Sequence, residues 1–504
     1  LTGIAEVPAA LDTQIHGVQL DSRLVKRGDL FVALSGSSNS AEAFITQAID
    51  KGANAVLVEG DNEHCQVHES GDAVELYIPK LRSHLGQIAH KFFKKPSREL
   101  LVIGVTGTNG KTSVANFIAQ LLGNDRLRSG VIGTLGYGFP IGGQALSVSD
   151  RTTPNVFDAH RYLAALRDQG AACVVMEVSS HGLDQGRVDG IEFDGAVFTN
   201  LTRDHLDYHG SMDSYASAKQ KLFQSKTLQF AVLNGEESIS HQISQSLPDT
   251  VNVLWFGLDD TFDISAKQIS FNRHGISAEL ATPIGDIALK SSLIGEFNLS
   301  NLLASLGVCV AMERSIACLE GVSQVVAVSG RMEVLYADGF PTIVVDYAHT
   351  PDALSSIIAA VRTHCKGQLK VVFGCGGDRD VGKRPLMAKV AELGADAVIV
   401  TDDNARNEDP ANIVADILQG FKSTQNVEVI HDRKRAIKQT LENSVSNDVI
   451  VVAGKGHECY QEVKGERLAF SDLSISRCLL GLDVQAGACD KVNGEVKGNG
   501  SACA

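Results

Sequence analysis

The chain has 504 residues, 44% hydrophobic and 21% charged, with 48 glycines, which is the composition of a folded globular protein with many tight turns. Its 45 Lys plus Arg against 60 Asp plus Glu leave a net charge of −15, so the chain as a whole lacks the positive field that sequence-independent nucleic-acid binding needs. Ten scattered cysteines without C-x-x-C pairs speak against zinc ribbons and a disulfide scaffold and for a reducing cytoplasm, and no apolar run approaches the roughly 20 residues that span a bilayer.

Length alone predicts roughly two to four domains, and the pattern of elements divides the chain into three. Residues 1–97 read as a small α/β domain: strand 29–34, helix 41–51, strand 53–59 and helix 81–93, ending in the linker Lys95-Pro96-Ser97. Residues 98–330 open with strand 99–105, and the strands at 172–178 and 195–199 end in polar residues, as ligand sites in open α/β sheets do. Between 262 and 293, alternation and turn signals at Asn272-Arg273-His274-Gly275 and Thr282-Pro283-Ile284-Gly285 predict appended antiparallel hairpins.

From 331 to 480 strands and helices alternate: 342–346, 351–362, 370–373, 384–393, 397–401, 410–421, 427–430, 433–443 and 449–453. That is a doubly wound, Rossmann-like pattern. Residues 481–504 are small, polar and glycine-rich and read as a disordered tail. The expected fold class is α/β in three domains, the central one a P-loop ATPase-type, mostly parallel sheet.

The chemistry starts at Gly104-Val105-Thr106-Gly107-Thr108-Asn109-Gly110-Lys111-Thr112-Ser113, which follows an apolar strand and opens a helix. The usual first glycine of a P-loop is replaced by Val105, yet small residues let backbone N–H groups wrap phosphates, Lys111 brings a positive charge, and Thr112 can ligate Mg²⁺. Glu177, ending the strand at Cys173-Val174-Val175-Met176, is placed to complete a Mg²⁺ shell. His205, in Thr202-Arg203-Asp204-His205-Leu206-Asp207, also fits a solvated loop, and Lys219 an exposed helix position.

In chain order, Leu20-Asp21-Ser22-Arg23, the nucleotide loop, Glu177-Val178-Ser179-Ser180-His181-Gly182-Leu183, Thr199 to Gly210, Gly295 to Asn301, Gly330-Arg331-Met332-Glu333, Asp346-Tyr347-Ala348-His349-Thr350-Pro351-Asp352, Gly374 to Arg384, Asp403-Asn404-Ala405-Arg406 and Gly454-Lys455-Gly456-His457-Glu458 follow one another. This succession resembles the Mur ligases, ATP-dependent amide-forming enzymes of peptidoglycan precursor synthesis. The resemblance implies an N-terminal domain for the UDP end of the substrate, a central ATPase domain and a C-terminal domain for the incoming amino acid. It further implies that Gly107 to Ser113 bind ATP, that Thr112 and Glu177 hold a first Mg²⁺, and that His205 and a carbamylated Lys219 serve a second. A carbamate is an anionic oxygen ligand suited to a hard cation, which an ammonium is not.

By the same resemblance Asn298, Asn301, Arg331 and Asp346 contact the adenosine end. Leu20, Ser22, Ser37, Ser38, Asn39, Thr152, Thr153, Ser179, Gln185 and Arg187 contact UDP-MurNAc-L-Ala-D-Glu. The family usually has Asn where Arg151 stands. Arg379, Asp403, Asn404, Ala405, Arg406, Gly454 and Glu458 match acceptor positions. Arg406 suits a distal carboxylate and Glu458 a distal ammonium, which points to meso-diaminopimelate. Ala405 stands where the family motif has Pro, removing a fixed φ beside Arg406.

Among sibling ligases, the dipeptide-adding Mur enzyme, folylpolyglutamate synthase and cyanophycin synthetase share the nucleotide loop, but Arg406 and the motif at residues 20–31 count against them. A non-catalytic nucleotide-responsive protein would have lost metal ligands, whereas Glu177, His205 and Lys219 are present. The expectation is a cytoplasmic monomer with small-molecule substrates, no nucleic-acid partner and no stable membrane insertion.

Overall fold

The computed structural model describes residues 4, 12–34, 41–60, 65–70, 73–140, 146–147, 151–272, 274–328 and 330–482. Ser37, Ser38, Asn39 and the tail beyond Leu482 lie outside the described residues. These fall into two compact units, Leu1–Lys111 with Arg126–Leu233 and Glu237–Val253, and Thr112–Asp125 with Asn234–Glu236 and Leu254–Ala504.

The first unit holds two sheets. In the N-terminal one, strands Gly17–Gln19, Asp29–Ala33, Ala55–Gly60 and Ala73–Pro79 run parallel in that order, and Gln66–Ser70 closes the edge antiparallel. Pairs such as Val32 and Leu57 bury its face, and that core also takes in Val156 and Phe157 from the helix Val156–Asp168. The small sheet therefore shares one apolar core with a helix of the following segment, so the linker at 95–97 is no seam in packing.

The larger sheet has the order Asn252–Phe256, Phe230–Asn234, Gly195–Phe198, Leu101–Thr106, Cys173–Glu177, Ser129–Gly133, Gly136–Gly138. Leu101–Thr106 is parallel to both neighbours, Gly195–Phe198 and Cys173–Glu177. These three strands are buried on both faces, hence their near-continuous Val, Ile and Ala content. Being parallel, they bring the nucleotide loop, Glu177 and Thr199 to one edge.

In the second unit, Ser265–Asn272, Gly275–Ala281 and Ile287–Ser291 form an antiparallel meander. The two turn signals are met, but the strands make a sheet of their own rather than extending the parallel one. The other sheet of this unit is ordered Glu333–Leu335, Thr342–Asp346, Val449–Ala453, Leu369–Phe373, Ala397–Val400, Val427–Val429, parallel except for its first strand. A hairpin Tyr460–Val463 and Glu466–Ala469 follows, unforeseen because its residues alternate without a strong apolar face.

Two imidazole contacts tie the meander region to this Rossmann-like body. His364 accepts from the Gly295 N–H at 3.0 Å, and its Nδ1 lies 2.6 Å from the Asn272 carbonyl. With one nitrogen an acceptor, the other must carry the proton.

Among the described cysteines Cys65, Cys173, Cys309, Cys318, Cys365, Cys375 and Cys459 are free thiols. Among the described residues no helix is long and apolar enough to cross a membrane.

Candidate active site

The nucleotide loop is shaped by glycines and sewn to the next strand end. Gly107 has φ +150° and Gly110 φ +84°, and a Cβ on Gly107 would collide with the Thr199 hydroxyl. Thr108 N–H donates to the Asn200 carbonyl at 2.9 Å, Asn109 N–H to Asn200 Oδ1 at 2.9 Å, and the Thr199 hydroxyl to the Asn109 carbonyl at 2.6 Å. Helix Lys111–Asn124 starts directly after the loop, and its free N–H groups and dipole favour an anion there. Lys111 Nζ curls back to the carbonyls of Gly107 at 2.9 Å and Thr108 at 2.8 Å.

Lys219 reaches the same loop. On helix Met212–Gln220 its side chain is almost wholly buried, donates to the Gly107 carbonyl at 2.7 Å and lies 4.4 Å from the Tyr215 ring centroid. Burial, reinforced by the Lys111 charge and opposed by Asp204, pushes its pKa down to about 6. The exposed helix position expected from spacing alone is therefore corrected: the amine is enclosed, and burial favours its neutral form.

His205 sits at a left-handed backbone position, φ +53°, 4.7 Å from the His181 ring and 6.2 Å from that of Tyr215. Tyr215 is a residue that sequence reading missed: its hydroxyl donates to Thr108 Oγ1 at 3.1 Å, linking the helix of Lys219 to the phosphate-type loop. Its only sequence signal was a position one helical turn before Lys219.

Glu177 is buried, with Oε1 accepting from Thr134 N–H at 2.9 Å and Oε2 from the Thr134 hydroxyl at 3.1 Å. A Cβ on Gly133 would strike that carboxylate. Among the described residues no group of three or more His, Cys, Asp or Glu side chains forms a metal cage. The hard oxygen donors present, beside a loop that only glycine can form, instead fit Mg²⁺ held largely by phosphates and water.

Thr152, Thr153, Ser179, Gln185 and Arg187 do come together. Thr153 Oγ1 donates to the Glu177 carbonyl at 3.0 Å and accepts from Ser179 N–H at 2.9 Å, Thr152 Oγ1 lies 3.1 Å from Thr134 Oγ1, and Arg187 donates to the Thr153 carbonyl at 3.0 Å and Gln185 Oε1 at 2.6 Å. Burial and the neighbouring Arg151 cation lower the Arg187 pKa, so the two guanidiniums prefer an anion between or beside them. A cavity of about 950 Å³ opens nearby, lined by Leu20, Ser22, Arg151, Asn155, Arg161 and Tyr162 among others. Asn155, Arg161 and Tyr162 gave no motif to recognise.

In the second unit, Asn298 and Asn301 are a buried pair on helix Glu296–Ala311, 3.3 Å apart. Asp346 accepts from Met332 N–H and Ala348 N–H, both at 2.8 Å, and burial raises its pKa against those bonds and the nearby Arg331. Arg331 lies 5.1 Å from the Tyr347 ring centroid, and its Nε is a buried donor with no protein acceptor, a group that an oxygen-rich ligand would satisfy.

The loop 403–406 follows the strand Ala397–Val400 and faces Gly454, at the end of Val449–Ala453; a Cβ on Gly454 would press on Asp403 Oδ2. Asn404 Nδ2 donates to Glu458 Oε2 at 2.9 Å. Arg406, φ +51°, donates from Nη1 to the Gly377 carbonyl at 2.6 Å, and Arg379 lies against Gly376 on the same wall. The hairpin fixes the backbone at Arg406: its N–H donates to the Glu462 carbonyl at 3.0 Å, and its carbonyl accepts from Lys464 N–H at 2.6 Å.

Three family descriptions match in succession: Mur ligase family, catalytic domain, over residues 14–93; Mur ligase middle domain over 105–309; and Mur ligase, glutamate ligase domain, over 330–456. The chain belongs to the Mur ligase family. It is 47% identical over 460 residues to the UDP-N-acetylmuramoyl-L-alanyl-D-glutamate--2,6-diaminopimelate ligase of Ectopseudomonas mendocina, covering 91% of this chain and 93% of that one. To the Pseudomonas aeruginosa protein of the same name it is 45% identical over 466 residues, covering 92% and 95%. A solved structure of a ligase of that name superposes with a TM-score of 0.69 at 37% identity, covering 93% of this chain and 95% of that one.

As a Mur ligase the chain is an ATP-dependent ligase, and its sequence-selected residues gather in sets that each unit displays separately. Lys111 and Lys219 both donate to the Gly107 carbonyl, and His205 lies 6.2 Å from the ring of Tyr215, whose hydroxyl meets Thr108. Thr134 and Tyr215 were missed, since neither belongs to a pattern whose chemistry is legible without contacts, and Lys455 lies inside the motif at 454–458 with no role assigned to it.

Proposed function

We propose that this Mur ligase joins meso-diaminopimelate to UDP-MurNAc-L-Ala-D-Glu, consuming ATP and yielding UDP-MurNAc-tripeptide, ADP and phosphate in cytoplasmic peptidoglycan precursor synthesis. The observation carrying this reading is the wall at residues 403–406, where Asn404 Nδ2 donates to Glu458 Oε2 at 2.9 Å and Arg406, two residues on, donates to the Gly377 carbonyl at 2.6 Å. A guanidinium and a carboxylate on one wall suit an acceptor with both a distal carboxylate and a distal ammonium.

In this reading the D-glutamate carboxylate attacks the γ-phosphorus of ATP, the bond to ADP breaks, and an acyl phosphate forms. Lys111 neutralises charge growing on the transferring phosphoryl group. Thr112 and Glu177 would hold one Mg²⁺, and His205 with a carbamylated Lys219 a second; bound there, the cations supply further charge neutralisation. The buried, neutral Lys219 amine is what CO₂ addition requires. The acceptor amine then attacks the acyl carbon, phosphate leaves with its C–O electrons, and a proton is lost from nitrogen as the amide forms.

Asn298, Asn301, Arg331 and Asp346 serve the adenosine end; Leu20, Ser22, Thr152, Thr153, Ser179, Gln185 and Arg187 serve the nucleotide-sugar peptide. The segments 1–97, 98–330 and 331–480 act as substrate, ATP and acceptor domains of a monomer. The test is product formation by purified protein with ATP, UDP-MurNAc-L-Ala-D-Glu and either meso-diaminopimelate or L-lysine. Turnover confined to diaminopimelate is expected, and equal turnover with lysine overturns the acceptor assignment.

A further inference from the structure

Lys455 is the one residue of Gly454-Lys455-Gly456-His457-Glu458 whose ammonium is entirely enclosed, at 0% exposure. Its Nζ donates to Asn404 Oδ1 at 2.9 Å and to Glu458 Oε2 at 2.8 Å, stands 4.0 Å from Asp403 Oδ1, and lies 5.6 Å from the Tyr460 ring centroid. An ammonium only donates, so the Asn404 atom it meets is the amide oxygen and not the nitrogen. That orientation in turn aims Asn404 Nδ2 at Glu458 Oε2, at 2.9 Å, while Glu462 N–H donates to Asn404 Oδ1 at 2.8 Å.

Two consequences follow from this geometry. Lys455 and Asn404 both grip Oε2 of Glu458. The Asp403 carboxylate shares the same cation: burial disfavours its charge most strongly, but Lys455, Arg433, the Asn404 N–H and His349 together hold its pKa below the ordinary value. Without Lys455 two neighbouring carboxylates would face each other with weaker compensation, and the amide of Asn404 would be free to turn over.

We propose that Lys455 is a positioning residue for the acceptor amino acid, acting through Glu458 and Asn404 by fixing which carboxylate oxygen and which amide group face the incoming substrate. This rests on the assignment of residues 403–406 and Glu458 to the acceptor.

The test is steady-state kinetics of the full chain carrying Glu458→Gln, Lys455→Met, or both. Each single change is expected to raise KM for meso-diaminopimelate at least tenfold while KM for ATP stays within twofold, and the double variant to fall short of the product of the two effects. If Glu458→Gln leaves the acceptor KM unchanged, the acceptor assignment itself fails. If Glu458→Gln raises it and Lys455→Met does not, or Lys455→Met raises both KM values in step, the positioning role fails alone. Should Lys455→Met not fold, the double variant, which removes a cation and an anion together, is compared with Glu458→Gln: a further rise below threefold supports the role and one above tenfold overturns it.

Discussion

Lys219 Nζ lies 2.7 Å from the carbonyl oxygen of Gly107, so a lysine from a helix more than a hundred positions downstream closes on the floor of the nucleotide loop. Its pKa of about 6 comes first from burial and then from Lys111, and that value makes the amine reactive towards CO₂ at neutral pH. Lys219→Ala is expected to lower kcat for phosphoryl transfer on the order of a hundredfold or more, as loss of an electrostatic stabiliser does. As pH falls through about 6 the amine protonates and carbamylation fails, so activity at pH 5.5 should recover on return to pH 7.5 with added bicarbonate. The carbamate itself is read by ¹³C NMR after incubation with labelled CO₂; a missing signal in fully active protein removes this role.

The Tyr215 hydroxyl, 3.1 Å from Thr108 Oγ1, predicts a milder effect. Tyr215→Phe deletes one buried hydrogen bond, about 1 kcal/mol. A several-fold rise in KM for ATP with little change in KM for the acceptor is expected. An unchanged ATP KM would show that the loop holds its shape without this link.

On the proposed reading, Arg406 is the charge on which acceptor choice turns. Arg406→Met should raise KM for meso-diaminopimelate by roughly 30-fold or more, in line with the 2–5 kcal/mol lost when one partner of a hydrogen-bonded charge pair is truncated. Arg406→Lys should recover only part of this, because an ammonium cannot pair a carboxylate with a planar fork. Full activity of Arg406→Lys would mean that a point charge suffices.

Ala405 stands where the family has Pro, but Arg406 is held on both its N–H and its carbonyl by the hairpin at Glu462 and Lys464. The loss of a fixed φ is thus compensated from outside the loop. Ala405→Pro should leave the acceptor KM within about threefold and change stability by roughly 1 kcal/mol or less. A tenfold fall in KM would show that loop rigidity limits binding in the native chain.

His160 predicts a pH effect on stability. Its ring is fully buried and 3.0 Å from the Asp189 carbonyl; burial lowers its pKa to about 4, although that bond opposes the shift. Unfolded histidine titrates near 6.5, so between about 4 and 6.5 the unfolded chain binds more protons and stability falls as pH drops. The contribution is fully present above pH 6.5 and on the order of 3 kcal/mol of it is lost by pH 4. Urea unfolding of His160→Leu against the native chain at pH 7 and pH 4 measures it, with a shallower loss expected for the variant.

The sequence by itself determined the α/β class, the order of the parallel strands' contents and the nucleotide loop. Those follow from apolar runs, from glycine spacing and from the helix that opens at Lys111, all of which are local. The strands Thr342–Asp346 and Val449–Ala453 were bounded correctly because they are apolar throughout and flanked by turn residues. The edge strands Gly17–Gln19 and Gln66–Ser70 were not legible, since short, half-exposed edges carry little periodicity.

Only the tertiary structure decided the status of individual charges. Lys219 looks like a surface lysine by spacing and is enclosed, as is Lys455. Burial, the contact with Gly107 and the shared grip on Glu458 arise from residues distant in the chain. Desolvation and hydrogen-bond partners are properties of the fold, and they enclose one lysine against the nucleotide loop and hold another on Glu458.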